Sequence, residues 1–224
     1  MAKSKVDIEP GGFGDQLTIG VKAKKPVMIT STLHTAEKMV GKIEKGMNLY
    51  GFTGGQFGFS DIIETVLDQT GPAELCLSIW TASSSGIEKA FGFLQSERIR
   101  SLRFLIDRGF KQFKGKAYDQ LILKHGLDCI RTSRIHAKFA IIRNEKWNLA
   151  IPTSMNLNKN IRLENFQIVE NREFCDFFQQ FIDKAFSEIR VDENFELSSS
   201  QKLNQVVGEK SNPNQPKKKK YNWG

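Results

Sequence analysis

The sequence predicts an α/β fold, a mixed β-sheet flanked by helices, and three observations carry that expectation. Apolar runs of strand length alternate with helix-patterned stretches from about residue 60 to residue 131, the signature of strands joined by packed helices. Three further strand-like runs follow between His136 and Glu170 with no helical pattern between them, so the last strands are expected to be antiparallel neighbours. The final patterned stretch is one amphipathic helix ending near Ile189.

In chain order, residues 1 to about 45 are polar and basic, with Gly11-Gly12 and Lys24-Lys25-Pro26, and are expected to form an N-terminal arm or a preliminary element. Gly51 to Gly58 (GFTGGQFG) reads as a loop, and it lacks the Lys-Ser/Thr ending of a phosphate-cradling P-loop. Ser60 is the expected N-cap of a helix through about Gln69. Glu74 to Thr81 (ELCLSIWT) reads as a buried strand, Ser84 to Gln95 as a helix and Leu102 to Ile106 as a strand. A helix from Lys114 to Lys124 should stop at Gly126, since glycine accepts the left-handed conformation that ends helices. A short strand at Leu127 to Arg131 leads to strands at His136 to Arg143, Trp147 to Pro152 and Asn165 to Glu170. In the closing helix Phe174, Phe177, Phe178, Phe181, Ile182, Ala185, Phe186 and Ile189 make one apolar stripe, expected to pack on the sheet. These elements define an expected folded domain over residues 46–196. Residues 197–224 are rich in Ser, Asn, Gln, Pro and Lys, and are expected to be a disordered basic tail.

With 224 residues and 39% hydrophobic content, the chain is long enough to bury a core. No apolar run approaches the roughly 20 residues needed to span a bilayer, and the first residues lack a secretion-type apolar segment. Cytoplasmic location with no membrane partner is the expectation. Cys76, Cys129 and Cys175 lie far apart with no zinc-ligand spacing, and an odd number argues against a disulfide framework. They are expected to be buried, reduced thiols. The net charge of +8 is unevenly placed. Residues 98–162 hold fifteen basic and four acidic side chains, while the stretches 26–97 and 163–197 are acidic on balance. A basic block of this kind suits a polyanion, because each phosphate neutralised releases counterions.

That block contains His136-Ala137-Lys138, followed by Thr153-Ser154-Met155-Asn156 and then Glu164-Asn165. Side chains two apart on a strand share a face, so His136 and Lys138 are expected together, as are Ser154 and Asn156 on a returning strand. Glu164 is placed to orient the histidine. A nucleophile, a cation, an amide donor and an orienting acid suit attack on a phosphodiester. Arg131 and Arg134, just upstream, are candidates for phosphate contact. Lys217, Lys218, Lys219 and Lys220, followed by Tyr221 and Trp223, could hold single-stranded nucleic acid through charge and stacking.

The pattern resembles the phospholipase D superfamily, whose signature runs H-x-K-x4-D and then G-S-x-N. The resemblance covers about residues 50 to 190 and includes the run Arg162 to Val169, similar to the strand that follows G-S-x-N in short bacterial nuclease-like members. Arg143 stands at the signature's Asp and Thr153 at its first Gly. The resemblance implies a single phospholipase D-like lobe and a two-step displacement needing no metal or other cofactor. One histidine attacks phosphorus to give a phosphohistidine, and a second protonates the leaving oxygen.

That scheme needs two H-x-K units, and this chain has one: neither His34 nor His125 has a lysine two residues on. His125 reads instead as a cationic ring at a helix C-terminus, where it would complement the dipole. The second motif is therefore expected from another copy about a two-fold axis, making the chain a homodimer. In this reading His136 is nucleophile or acid according to subunit, Lys138 the oxyanion cation, Asn156 the amide donor, Ser154 a supporting donor and Glu164 the residue fixing the histidine tautomer. The expected function is a metal-independent phosphodiesterase or endonuclease on nucleic acid, with DNA ahead of RNA. The alternative is a catalytically inactive member that only binds nucleic acid, and a lipid hydrolase stands third.

Overall fold

The computed structural model describes residues 27–29, 35–158 and 161–189. They form an eight-stranded mixed sheet in the order β1-β2-β8-β7-β6-β3-β4-β5. The strands are β1 (Val27–Ile29), β2 (Asn48–Thr53), β3 (Ala73–Ile79), β4 (Ile99–Asp107), β5 (Ile130–Ser133), β6 (Lys138–Arg143), β7 (Asn148–Thr153) and β8 (Glu164–Glu170). The helices are α1 (Ala36–Val40), α2 (Phe59–Thr70), α3 (Ser84–Gln95), α4 (Arg108–Phe113), α5 (Gly115–His125) and α6 (Arg172–Glu188). Strands β3, β4 and β5 run parallel, and β6, β7, β8 and β2 alternate in direction beyond β3. The mixed sheet with antiparallel closing strands is as the sequence predicts. Among the described residues no helix is long and apolar enough to cross a membrane.

Side-chain alternation divides the sheet between two layers of helix. Cys76, Leu105, Phe139 and Ile141 face α6, where they cluster with Cys175, Ile182, Ala185 and Ile189, with Phe178 and Phe186 partly buried against them. Phe174, Phe177 and Phe181 lie along the helix in edge-to-face contacts. The neighbouring sheet positions, Leu75, Leu77, Phe104, Ile106, Ala140 and Ile142, are equally buried and point to the opposite face. Cys175, outside the predicted stripe, is fully buried because the helix face rotates toward β7, whose Leu149 carbonyl accepts from its thiol. All three cysteines are free thiols; Cys76 and Cys175 are buried and Cys129 is half-buried.

Several boundaries differ from the sequence reading for local reasons. Gly51 belongs to β2 and not to a loop, since Asn48–Thr53 pairs with β8 in full register. A Cβ on Gly51 would stand 2.7 Å from the Phe166 ring, so the strand carries glycine where its neighbour's phenyl lies across it. Helix α2 is capped at Gly58 and not at Ser60, with the Asp61 carboxylate accepting the Gly58 N–H at 2.7 Å. Helix α3 and the stop of α5 at Gly126 (φ 82°) match expectation. Helix α4 is an additional turn, started by Asp107 as N-cap. His136 lies before β6, not in it. The predicted tail over 197–224 falls outside the described residues, as does His34.

Candidate active site

Chain direction gathers one set of strand ends at a single edge of the sheet. Strands β2, β7, β3, β4 and β5 finish there, and β6 and β8 start there. The chain leaves β5 at Ser133 and enters β6 at Lys138, three strand positions away, passing β4 and β3. Three inter-strand spacings amount to about 14 Å, and five peptide steps reach about 17 Å when extended. Residues 134–137 must therefore run nearly straight across the ends of β4 and β3. The side chains beneath fasten them: Asp107 Oδ2 at the end of β4 accepts the Ile135 N–H at 3.0 Å, and Ser78 Oγ of β3 donates to the Ala137 carbonyl at 2.8 Å. His136 sits between the two fastenings and is exposed.

Lys138, the first residue of β6, is buried, and its side chain folds back over His136. Its Nζ donates to the His136 carbonyl at 2.7 Å and stands 3.3 Å from Nδ1 and 3.4 Å from Nε2 of the ring. The two groups are brought together by this fold-back and not by strand alternation, since His136 lies before β6. Burial pushes the Lys138 ammonium below the ordinary lysine value, while the charges of Glu164 and Asp107 act in the opposite sense.

Thr153 pairs directly across from Lys138, and Glu164 across from Thr53 at the start of β8. The Ser154 hydroxyl donates to the Glu164 carboxylate and accepts the Asn165 N–H at 2.9 Å. Asn156 Oδ1 accepts the N–H groups of Trp80 and Thr81, each at 3.1 Å. With its oxygen so occupied, the amide presents its NH2 end as the donor still to be used. The loop carrying Asn156 is held against helix α3: the Leu157 carbonyl accepts from Ser83 N at 3.0 Å and Ser83 Oγ at 3.1 Å. Gly86 makes that approach possible, since a Cβ there would lie 2.1 Å from the Leu157 oxygen.

The two departures from the signature have local explanations. Thr153 Oγ1 donates to the Asn165 carbonyl at 2.6 Å and accepts the Met155 N–H at 3.1 Å, so the hydroxyl ties the β7 turn to β8. Arg143 ends β6, at the far edge from Lys138, and its guanidinium pairs with Asp176 of α6. Neither substitution removes a group from beside His136.

Sequence reasoning missed Asp107, Ser78, Gly86 and Trp80. Asp107 was legible as an acid two residues before a glycine, an N-cap signal; Ser78 and Trp80 depend on the order of the strands, and Gly86 on the Leu157 loop that packs against α3. Trp80, read as part of a buried strand, is 45% exposed, with its ring centroid 5.6 Å from that of His136. Arg131 is on edge strand β5, where its guanidinium lies 4.6 Å over the Phe186 ring and donates to the Asp128 and Ile130 carbonyls. Arg134 is exposed in the crossing segment. Lys217, Lys218, Lys219 and Lys220 lie outside the described residues. His125 corrects the sequence reading: its ring is wedged between Phe91 and Phe104, and burial lowers its pKa to about 4. A ring so desolvated stays neutral, because burial outweighs the pull of the helix dipole. Among the described residues no three His, Cys, Asp or Glu side chains converge as they would around a metal ion.

No protein-family model and no curated protein matches the chain. Among solved structures it is similar to a phospholipase D family member, Nuc from Salmonella typhimurium, at 14% identity over 64% of this chain and 96% of that one, with a TM-score of 0.45. NucT from Helicobacter pylori matches at 11% identity over 64% of this chain and 99% of that one (TM-score 0.42). Polyphosphate kinase from Porphyromonas gingivalis matches at 14% identity over 66% of this chain and 27% of that one (TM-score 0.45). The likeness is one of fold, an α/β lobe similar to that of a solved phospholipase D family member.

Proposed function

We propose that the chain is a phosphodiesterase, and specifically an endonuclease on nucleic acid whose chemistry is carried by side chains without a metal. The observation that carries this reading is the Lys138 ammonium against both nitrogens of an exposed His136, next to Glu164. An imidazole nitrogen attacks phosphorus and forms a P–N bond as the P–O bond to the leaving group breaks. Lys138 and the Asn156 NH2 group offset the charge that gathers on the non-bridging oxygens. Glu164, steadied by Ser154, sets the local field and the histidine tautomer.

The departing oxygen needs a proton, and His136 is the one histidine at this edge among the described residues. His136 of the partner subunit in a two-fold dimer supplies it, then deprotonates the water that cleaves the P–N bond. Arg134 and the basic residues around it attract the phosphate backbone, DNA ahead of RNA.

The test is cleavage of DNA, RNA and a generic diester in excess chelator by wild type and His136→Ala. Cleavage by the wild type alone supports the reading. Intact substrates in every wild-type reaction would leave the alternative, a protein that binds nucleic acid at this edge without cutting it. Light scattering at one chain mass would sink the shared site.

A further inference from the structure

Trp80 is a large apolar side chain that the proposed chemistry does not use. Its backbone is held by Asn156, because its N–H donates to the same amide oxygen that Thr81 reaches. Trp80 is nonetheless 45% exposed, and its ring is tilted 55° to that of His136 at 5.6 Å between centroids. Leaving an indole in water at a rigid position forgoes the burial that aromatic residues ordinarily gain. Here a flat apolar face stands one nucleotide's reach from the group proposed to attack phosphorus.

We infer that Trp80 is a stacking platform for the nucleobase next to the scissile phosphate, and that the substrate is therefore single-stranded nucleic acid. This rests on the phosphodiesterase reading above for the position of the phosphate. A base inside a duplex has both faces covered by its neighbours, so an unpaired base can lie on the indole directly, whereas extruding one from a duplex first costs its pairing and stacking. Every base has a π-face, so the platform selects for strandedness and not for sequence. The Lys138 charge beside it holds the phosphate of the stacked nucleotide, and Asn156 couples the two by orienting both the indole backbone and its own NH2 donor.

The experiment compares wild type, Trp80→Ala and Trp80→Phe on a single-stranded oligonucleotide, on its duplex, and on the same strand with one abasic position. Binding is read by the anisotropy of a dye-labelled strand, which reports on all three proteins alike, and stacking by the quenching of wild-type indole fluorescence that is lost in Trp80→Phe. Cleavage is read separately as kcat and KM. We expect Trp80→Ala to weaken single-strand binding about 5- to 150-fold, with kcat within a few-fold and most of the loss restored by Trp80→Phe. The abasic strand should lose a similar factor with wild type and little more with Trp80→Ala, because both changes remove the same contact.

Additive losses would overturn the proposal, as would equal binding of duplex and single strand. So would a fall in kcat at unchanged KM, which would make Trp80 a positioning residue for His136. If no substrate is cut at all, the quenching and abasic measurements still decide the stacking, so the two readings fail separately.

Discussion

His125 closes helix α5 with its ring between Phe91 and Phe104, whereas His136 crosses the end of the sheet with an ammonium against its ring. They are eleven positions apart in the sequence. One is used as an apolar filler that must stay neutral, and the other is presented to solvent among polar groups. The residue type is the same; the strand order decides which becomes chemistry. β5 leads outward over the sheet end, while α5 turns its last residue inward.

The contrast is tested most severely at His136. His136→Ala should lower cleavage on the order of 10^4-fold or more, as loss of a nucleophile does, with the melting temperature unmoved. Lys138→Met should cost about 10^2 to 10^3-fold, and His125→Leu should leave cleavage near wild type. Comparable losses in the two histidine variants would erase the distinction.

His125 should instead reveal itself through pH. Unfolded, it takes up a proton near pH 6.5, and folded only near pH 4. The unfolded chain binds more protons between those values, so stability falls as pH drops through that window, by about 3 kcal/mol from this group. Denaturant titrations of wild type and His125→Leu at pH 7 and pH 4 measure it, and an unchanged difference in the variant would refute it.

Gly86→Ala should cost about 1–3 kcal/mol, because the methyl meets a backbone carbonyl that cannot turn aside. It should also lower cleavage by shifting Leu157 and with it Asn156, which a Gly92→Ala control, open within 4 Å, should not do. The smallest effect belongs to Arg143→Gln. Its pair with Asp176 is partly exposed, so about 1 kcal/mol or less is expected. Cleavage should be unaffected, and a large loss would place Arg143 in the site after all.

What was legible in the sequence follows from how local each signal is. Helix α3, the Gly126 stop and the antiparallel closing strands were readable because apolar period and terminators sit within the segment itself. β2 was not, because Gly51 and Thr53 occupy its inward positions and hide the alternation; the reason for Gly51 is Phe166, 115 residues away. Likewise His136 and Lys138 stand two apart in the sequence, but neither the fold-back that joins them nor the fastening of the crossing was legible. Asp107 and Ser78 come from strands placed beneath it only by the order of the sheet. Trp80 lay at the end of an apolar run and gave no sign of exposure.

The crossing from β5 to β6 has almost no spare length. It therefore acts as a ruler: removing one residue would leave the remainder too short to join both strands, and adding one would let His136 slide off its mark between Asp107 and Ser78. In this part of the chain, tolerance to insertion and deletion should vanish even though the segment is an exposed connection, where length changes are ordinarily absorbed with ease.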